Sequence, residues 1–332
     1  MKKKGKTILY KLKTIKYKNY TILYVLMLMI IVFSFANPLF ASWRNLTNII
    51  TQNTYFIIAA IGMSFVMIGG GIDLSVGYQM SLVGVITAVL IVSSSIPVWL
   101  AILIGLMIGA ILGFLNGLIV TSVNIFPLIA TLATAMVFQG ASFMISEAKT
   151  YRLDHALDFL ISDSLLGIPF DIWLTIIIVA IASIVFKKTY FGRYIFATGG
   201  NEEASKLSGI KTKMIRISIY ALCGFFFAVA TMIMMAKANV MTSTFGPGTE
   251  FTALTAAIIG GISFKGGEGK IWGLIVGIFI LQVLSNGMQL SGLGAYVQYV
   301  VKGAILLFAV IFDEYQKSKR SKPKIEKTLT QE

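Results

Sequence analysis

Three clusters of basic residues, set between long apolar runs, constrain this chain more than any other feature. Residues 2–18 carry eight lysines, residues 187–216 seven Lys and Arg, and residues 317–327 six. Together they hold 21 of the 28 basic side chains. The stretch 147–171 runs the other way, with Glu147, Asp154, Asp158, Asp163 and Asp171 against Lys149 and Arg152. Lys and Arg are retained on the cytoplasmic side of a membrane, so the three clusters belong inside and the acidic stretch outside. A crossing helix needs roughly 17–25 mostly apolar residues. Ten segments come near that requirement: 20–36, 54–69, 78–94, 98–120, 125–146, 172–186, 216–236, 252–264, 271–287 and 295–312. Six precede the central basic loop and four follow it, so all three clusters return to one side. Five precede the acidic stretch, which therefore falls on the other side. The expected fold is an all-α polytopic membrane protein of about ten transmembrane helices, some broken, with both termini cytoplasmic. Its parts are a basic N-terminus (1–19), a membrane domain (20–312) and a basic tail (313–332). The membrane domain carries a cytoplasmic loop at 187–215 and an outer loop at 147–171.

Composition agrees. The chain is 57% hydrophobic and 13% charged, against about 25% charged in soluble domains. A soluble enzyme, a disordered chain and a disulfide scaffold are excluded. One cysteine (Cys223) and one histidine (His155) leave no basis for a metal centre, and no cofactor is expected. A net charge of +14 would suit nucleic acid, but no soluble domain is present to carry such a surface. The first apolar run follows a basic segment as in a signal peptide. It is long for one, and Ser34-Phe35-Ala36 makes a poor cleavage site; it reads as a retained helix.

Catalytic groups are not expected. Gly266-Gly267-Glu268-Gly269-Lys270 has Ile271 where a phosphate loop needs a hydroxyl, and a lone His in an outer loop builds no triad. Transport against a gradient would then draw on a partner protein or an ion gradient. Ion-coupled carriers place several ionisable groups in the membrane. Here they are few: Asp73 and Lys302, with Lys237 and Glu250 at the periphery. That scarcity favours a partner supplying mechanical work.

Two spans end in glycine-rich breaks. Span 54–69 runs into Gly69-Gly70-Gly71-Ile72-Asp73-Leu74-Ser75, and span 252–264 contains Gly260-Gly261 and runs into Gly266-Gly267. The second covers roughly 20 Å of a core about 30 Å thick. Irregular backbone at membrane depth survives only beside protein or a water-filled cavity, so the breaks mark either a translocation pathway or two tight surface turns. Candidates for the pathway or its gate are Gly70, Gly71, Asp73, Asn116, Glu250, Gly260, Gly261, Gln282, Asn286, Gln298 and Lys302. Each has a plainer reading: Asp73 as a cap on the Ser75 or Val76 N–H, Lys302 as a snorkelling cation, and the amides as interhelical hydrogen bonds. Gly105, Gly109, Gly113 and Gly117 recur every fourth residue and form a smooth face for helix packing. Arg44, Lys149, Arg152 and Lys237 are expected at the outer surface, either solvated or meeting acidic patches on a partner.

In the central loop, residues 202–207 read as a short helix. Asn201 suits its N-cap, Glu202 and Glu203 its first turn, Lys206 its end and Gly209 its C-terminal turn. Such an element fits a groove in a partner.

With these residues in view, the chain resembles the permease subunit of ribose and simple-sugar ABC importers. The resemblance rests on Gly70-Gly71-Ile72-Asp73-Leu74-Ser75-Val76-Gly77, the loop Gly192 to Ile210, Ala257-Ile258-Ile259-Gly260-Gly261 with Gly266-Gly267, and the tail Gln298 to Asp313. It implies a multi-pass protein of a bacterial plasma membrane, paired with a second permease copy or paralogue. It also implies a cytoplasmic ABC ATPase and an extracytoplasmic sugar-binding protein. Arg193, Gly200, Asn201, Glu202, Glu203, Ala204 and Gly209 would couple to the ATPase. Thr252 stands where ribose-type relatives often carry an acid, and Ser205 replaces a common Ala in the loop. The cargo would be a monosaccharide such as ribose. Permeases for a nucleoside, an autoinducer-type sugar or a branched-chain amino acid are the neighbouring alternatives, and an ion-coupled carrier the more distant one.

Overall fold

A computed structural model describes residues 21–94, 96–123, 125–162 and 164–321. The basic cluster at 2–18, the segment 1–19, Asp163 and the tail beyond residue 321 lie outside the described residues. In chain order the helices are α1 (Thr21–Ala36), α2 (Trp43–Gln52), α3 (Thr54–Ile68), α4 (Val76–Ser93), α5 (Val98–Ser122) and α6 (Pro127–Ser146). After the outer loop come α7 (Phe170–Lys188), α8 (Tyr190–Gly200), α9 (Glu202–Leu207), α10 (Thr212–Ala238), α11 (Thr249–Ile259), α12 (Ile271–Leu290) and α13 (Ala295–Ser321). Among the described residues, eight helices are long and apolar enough to cross a membrane. Thr21–Ala36 and Thr249–Ile259 are shorter apolar helices. The ten apolar segments thus correspond to helices one for one.

The interior is built around α3 and α10. α3 is apolar on every face, and 13 of its 15 residues are buried; a helix hydrophobic all round belongs inside a larger bundle. α10 lies against α3 and α5. Gly105, Gly109, Gly113 and Gly117 are all buried on α5 and form its contact with α10. A Cβ on Gly117 would sit 2.9 Å from the Ile217 Cα, and one on Gly113 would strike the Tyr220 carbonyl. Without side chains on that stripe, the two backbones approach closely enough for dispersion contacts along their length. Phe65 stacks on Phe186 with ring centroids 4.4 Å apart, joining α3 to α7. The outer faces of α6, α7 and α13 remain apolar and uncovered by the chain, as with Met136, Ile181 and Phe308.

Two details differ from the sequence reading. α2 precedes the second span as an amphipathic helix, separated from α3 by Asn53, whose amide donates to the Ile49 carbonyl at 2.6 Å. The outer loop also holds short strands: β1 (Tyr151–Arg152), β2 (Ser164–Leu165) and β3 (Ile168–Pro169). β1 pairs antiparallel with β4 (Val240–Met241), with Tyr151 opposite Met241 and Arg152 opposite Val240. That pairing fastens the outer loop to the end of α10.

Candidate functional site

Three glycine-rich segments, distant in sequence, meet at one end of the bundle. They are the end of α3 (Gly69–Gly71), the end of α8 (Gly199–Gly200) and the loop before α12 (Gly266–Gly267). The Gly267 N–H donates to the Ile68 carbonyl at 2.8 Å. A Cβ on Gly266 would lie 2.6 Å from the Gly70 Cα, and one on Gly267 would lie 2.6 Å from the Gly200 Cα. On Gly199 a Cβ would collide with the Ile68 carbonyl oxygen. Gly266 and Gly267 also have positive φ, at 86° and 73°, which glycine alone adopts without strain. The contact is therefore backbone against backbone on three sides, with no long side chain to absorb a displacement.

Just beyond this junction, the break between α3 and α4 is closed by a buried polar cluster. Asp73 is fully buried. Its Oδ1 accepts from the Ser75 N–H at 2.9 Å and from the Ser75 hydroxyl at 2.6 Å. Asn116 from α5 donates to Asp73 Oδ2 at 3.2 Å and to Ser75 Oγ at 2.6 Å. Gln79 donates to Ser75 Oγ at 2.8 Å. The Leu74 N–H finds Thr131 Oγ1 at 3.1 Å, and the Tyr220 hydroxyl donates to the Ile72 carbonyl at 3.1 Å. Bonds from α5, α6 and α10 thus satisfy an irregular backbone that would otherwise be costly at depth.

The loop that reaches the junction ends in the short helix expected from sequence. Asn201 caps α9, its Oδ1 accepting from the Ala204 N–H at 2.9 Å, and Gly209 has φ of 83°. Glu202 pairs with Arg216 at 2.7 Å and with Lys206 at 2.9 Å, which ties α9 to the base of α10. Partial burial raises the Glu202 pKa. The Lys206 hydrogen bond, the Arg216 and Lys206 charges and the Thr212 hydroxyl outweigh it and leave the carboxyl below its usual range. Arg193 lies over the Tyr190 ring, 4.2 Å from its centroid. Glu203, Ala204 and Leu207 face outward, and Leu207 is 91% exposed.

At the opposite end, the chain leaves β4 and turns back into the bundle. Ser81 on α4 donates to the Phe245 carbonyl, and a Cβ on Gly77 would lie 2.9 Å from the Gly246 carbonyl oxygen. α11 therefore starts beside the first turns of α4. Glu250, 1% exposed, accepts from the Gly248 N–H at 2.9 Å and places its carboxyl at the start of that helix. Above this segment, a cleft of about 400 Å³ is lined by Gln52, Tyr55, Lys237, Thr244, Phe245 and Thr249, among others. Lys237 is not a surface cation. It pairs with Asp171 at 2.7 Å, its side chain 14% exposed and that of Asp171 1%. It also donates to the Thr51 carbonyl at 2.6 Å, while the Thr54 hydroxyl donates to Asp171 at 2.8 Å.

The expected pathway residues separate into groups. Gly70, Gly71, Asp73 and Asn116 surround the first break, with Gly200 across the junction. Gly260 packs on Gly273 of α12, where a Cβ would lie 2.6 Å from that backbone, whereas Gly261 faces open space. Asn286 and Asn45 exchange hydrogen bonds at 2.9 Å, linking α12 to α2. Gln282 is half-buried on α12, and Gln298 and Lys302 are half-buried on α13. None of these three joins the Asp73 cluster. Sequence reasoning did not single out Gln79, Thr131, Gly199 or Leu207; it named Ser75 only as a partner for the Asp73 cap and Asp171 only as one charge of the acidic stretch. Only the exposure of a leucine beside Glu203 and Ala204 had a local signal, as an apolar residue on an otherwise polar helix.

Residues 45–310 match the family described as branched-chain amino acid transport system / permease component. The chain is similar to the ribose import permease protein RbsC of Haemophilus influenzae, 36% identical over 89% of this chain and 93% of the relative. It is similar to the galactose/methyl galactoside import permease protein MglC of Escherichia coli, 35% identical over 91% and 94%. Similarity to the L-arabinose transport system permease protein AraH of Escherichia coli is 36% identity over 91% and 93%. No solved structure matches.

Proposed function

We propose that this chain, which belongs to the family of branched-chain amino acid transport system permease components, is the membrane permease of an ABC importer for a monosaccharide. Relatives that it matches over more than nine-tenths of their length carry ribose, galactose and arabinose in their names, which supports a pentose or hexose as cargo. In a bacterial plasma membrane the three basic clusters would face the cytoplasm. A partner ATPase would dock on α9 through Glu203, Ala204 and Leu207, with Arg193 and Gly209 framing the loop. An extracytoplasmic binding protein would deliver sugar to the opposite end, near the cleft lined by Gln52, Tyr55 and Thr244. A second permease copy or paralogue would complete the pathway. Among the eight long helices, α13 is the one least covered by the rest of the chain, which suits a face shared with lipid and that second subunit.

The glycine junction carries this reading. α9 follows Gly200 directly, and Gly199–Gly200 touches both broken segments through main chain. A push on α9 would therefore reach the end of α3 and the loop before α12 together, as a packed contact shifts between discrete arrangements. A neutral sugar needs no fixed countercharge along its route. In keeping with this, Asp73, Glu250 and Lys237 are each bonded within the chain.

The test changes Glu203→Lys, or removes residues 201–209, in cells carrying the whole importer. The expected result is loss of ATPase co-purification and of sugar uptake, with the chain still inserted in the membrane. Unchanged uptake would overturn the docking assignment. Labelling at position 203 from outside intact cells would overturn the orientation.

A further inference from the structure

The cleft of about 400 Å³ at the outer end takes its walls from separate elements. Gln52 closes α2, and Tyr55 stands in the first turn of α3. Met234 and Lys237, three residues apart near the end of α10, share one face of that helix. Phe245 lies in the segment that enters α11, and Thr249 is the first residue of that helix. The walls are fastened from behind. Ser81 donates to the Phe245 carbonyl, and the Lys237–Asp171 pair ties the end of α10 to α7. The cleft is therefore set before a ligand arrives, which lowers the ordering cost of binding.

Its lining is neutral. Lys237 is the only charged side chain among the described residues that line it, and its ammonium is engaged by Asp171 and the Thr51 carbonyl. The neutral polar groups are in the reverse state. Among the described residues, none bonds the Gln52 amide, the Tyr55 hydroxyl or the Thr249 hydroxyl. Tyr55 and Phe245, both half-buried, add ring surface. An amino acid would bring a carboxylate and an ammonium, and the cleft offers neither a free cation nor an acid. An apolar solute would leave three polar groups unbonded. A sugar ring matches both halves of the lining: its C–H faces lie on aromatic rings, and its hydroxyls both give and accept hydrogen bonds. We propose that this cleft is a sugar-holding site of the permease itself. The ring packs against Tyr55 and Phe245, and its hydroxyls bond the Gln52 amide and the hydroxyls of Tyr55 and Thr249. This rests on the monosaccharide-importer reading and adds to it a place where the membrane subunit, and not only its binding protein, recognises the cargo.

Saturation-transfer NMR on the purified full chain in lipid nanodiscs tests it, with D-ribose, D-galactose, L-arabinose and L-leucine as probes. At least one of the three sugars is expected to receive saturation from the protein, and L-leucine is not. Gln52→Ala combined with Thr249→Val is expected to weaken sugar binding about tenfold, as the loss of two neutral hydrogen bonds would. Tyr55→Ala is expected to abolish the transfer and Tyr55→Phe to retain part of it. The thermal midpoint of the double variant is expected to match that of the native chain, because Gln52 is exposed and neither altered group supports a bond to a described residue. No transfer to any of the three sugars, equal transfer to L-leucine, or unchanged sugar transfer in the double variant and in Tyr55→Ala overturns the site. Uptake by cells carrying the whole importer separates this from the broader reading. Sugar uptake without transfer from the purified chain overturns the site alone. L-leucine uptake without sugar uptake overturns the reading and the site together.

Discussion

The two ends of this bundle are held by opposite means. At the junction end, three segments meet as bare backbone, through one hydrogen bond between Gly267 and Ile68 and a set of glycine contacts. At the far end, Lys237 and Asp171 form a buried ion pair with Thr51 and Thr54 as further partners. A buried ion pair is directional and costly to break, so it fixes α3, α7 and α10 relative to one another. Main-chain contact is short-ranged and unforgiving of volume, so it passes on whatever displacement reaches it. On the proposed coupling through α9, the contrast puts the moving part at the junction and the fixed part at the Lys237–Asp171 latch.

The sharpest way to break that contrast is Gly199→Val. Its side chain would meet the Ile68 carbonyl and the Gly267 N–H. Sugar uptake into vesicles of the reconstituted importer is expected to fall to background, with the amount of inserted chain unchanged. Gly140→Ala, at a glycine with nothing within 4 Å of the added carbon, serves as the control and retains uptake.

Next in size is the latch. Lys237→Met leaves Asp171 buried without its cation, a loss of about 3–5 kcal/mol, read as a lowered thermal midpoint in detergent. Adding Asp171→Leu to the same chain is expected to recover most of that loss. If the single variant is as stable as the native chain, the outer end is not a latch.

A smaller effect is expected at the docking edge. Leu207→Ala removes an exposed side chain that supports no internal packing, so the fold is unchanged. ATPase affinity is expected to fall about tenfold, the cost of a moderate interface anchor, as measured by co-purification across a dilution series.

Acidification gives the smallest change. The Glu202 pKa is depressed in the folded chain. Its ties to Arg216 and Lys206 therefore stabilise fully above the unfolded value of about 4.3 and fade as pH falls through the lower folded value. Amide exchange over residues 202–212 is expected to speed up below about pH 4. Glu202→Gln should exchange faster at neutral pH and lose that dependence.

How far these features were legible in the sequence depends on the range of the forces involved. Asn201, Glu202, Lys206 and Gly209 act on backbone within a few residues, and α9 spans 202–207 as their order required. Asp73 bonds the Ser75 N–H, as its spacing allowed. By contrast, Lys237 read as an outer-surface cation because Asp171 lies 66 positions away. The segment 242–248 carried no signal in the sequence, because its contact with Gly77 and Ser81 depends on where α4 packs. Gly266 and Gly267 were visible as a break, but nothing local pointed to Gly199 or Gly70 as their neighbours.

Sequence alone determined the apolar segments and the short capped helix at 202–207, because hydrophobic transfer and helix capping act on each stretch independently of the others. Only the tertiary structure decided which breaks touch and which charges are paired. Those outcomes depend on distances between helices, and such distances are set by the packing of the whole bundle.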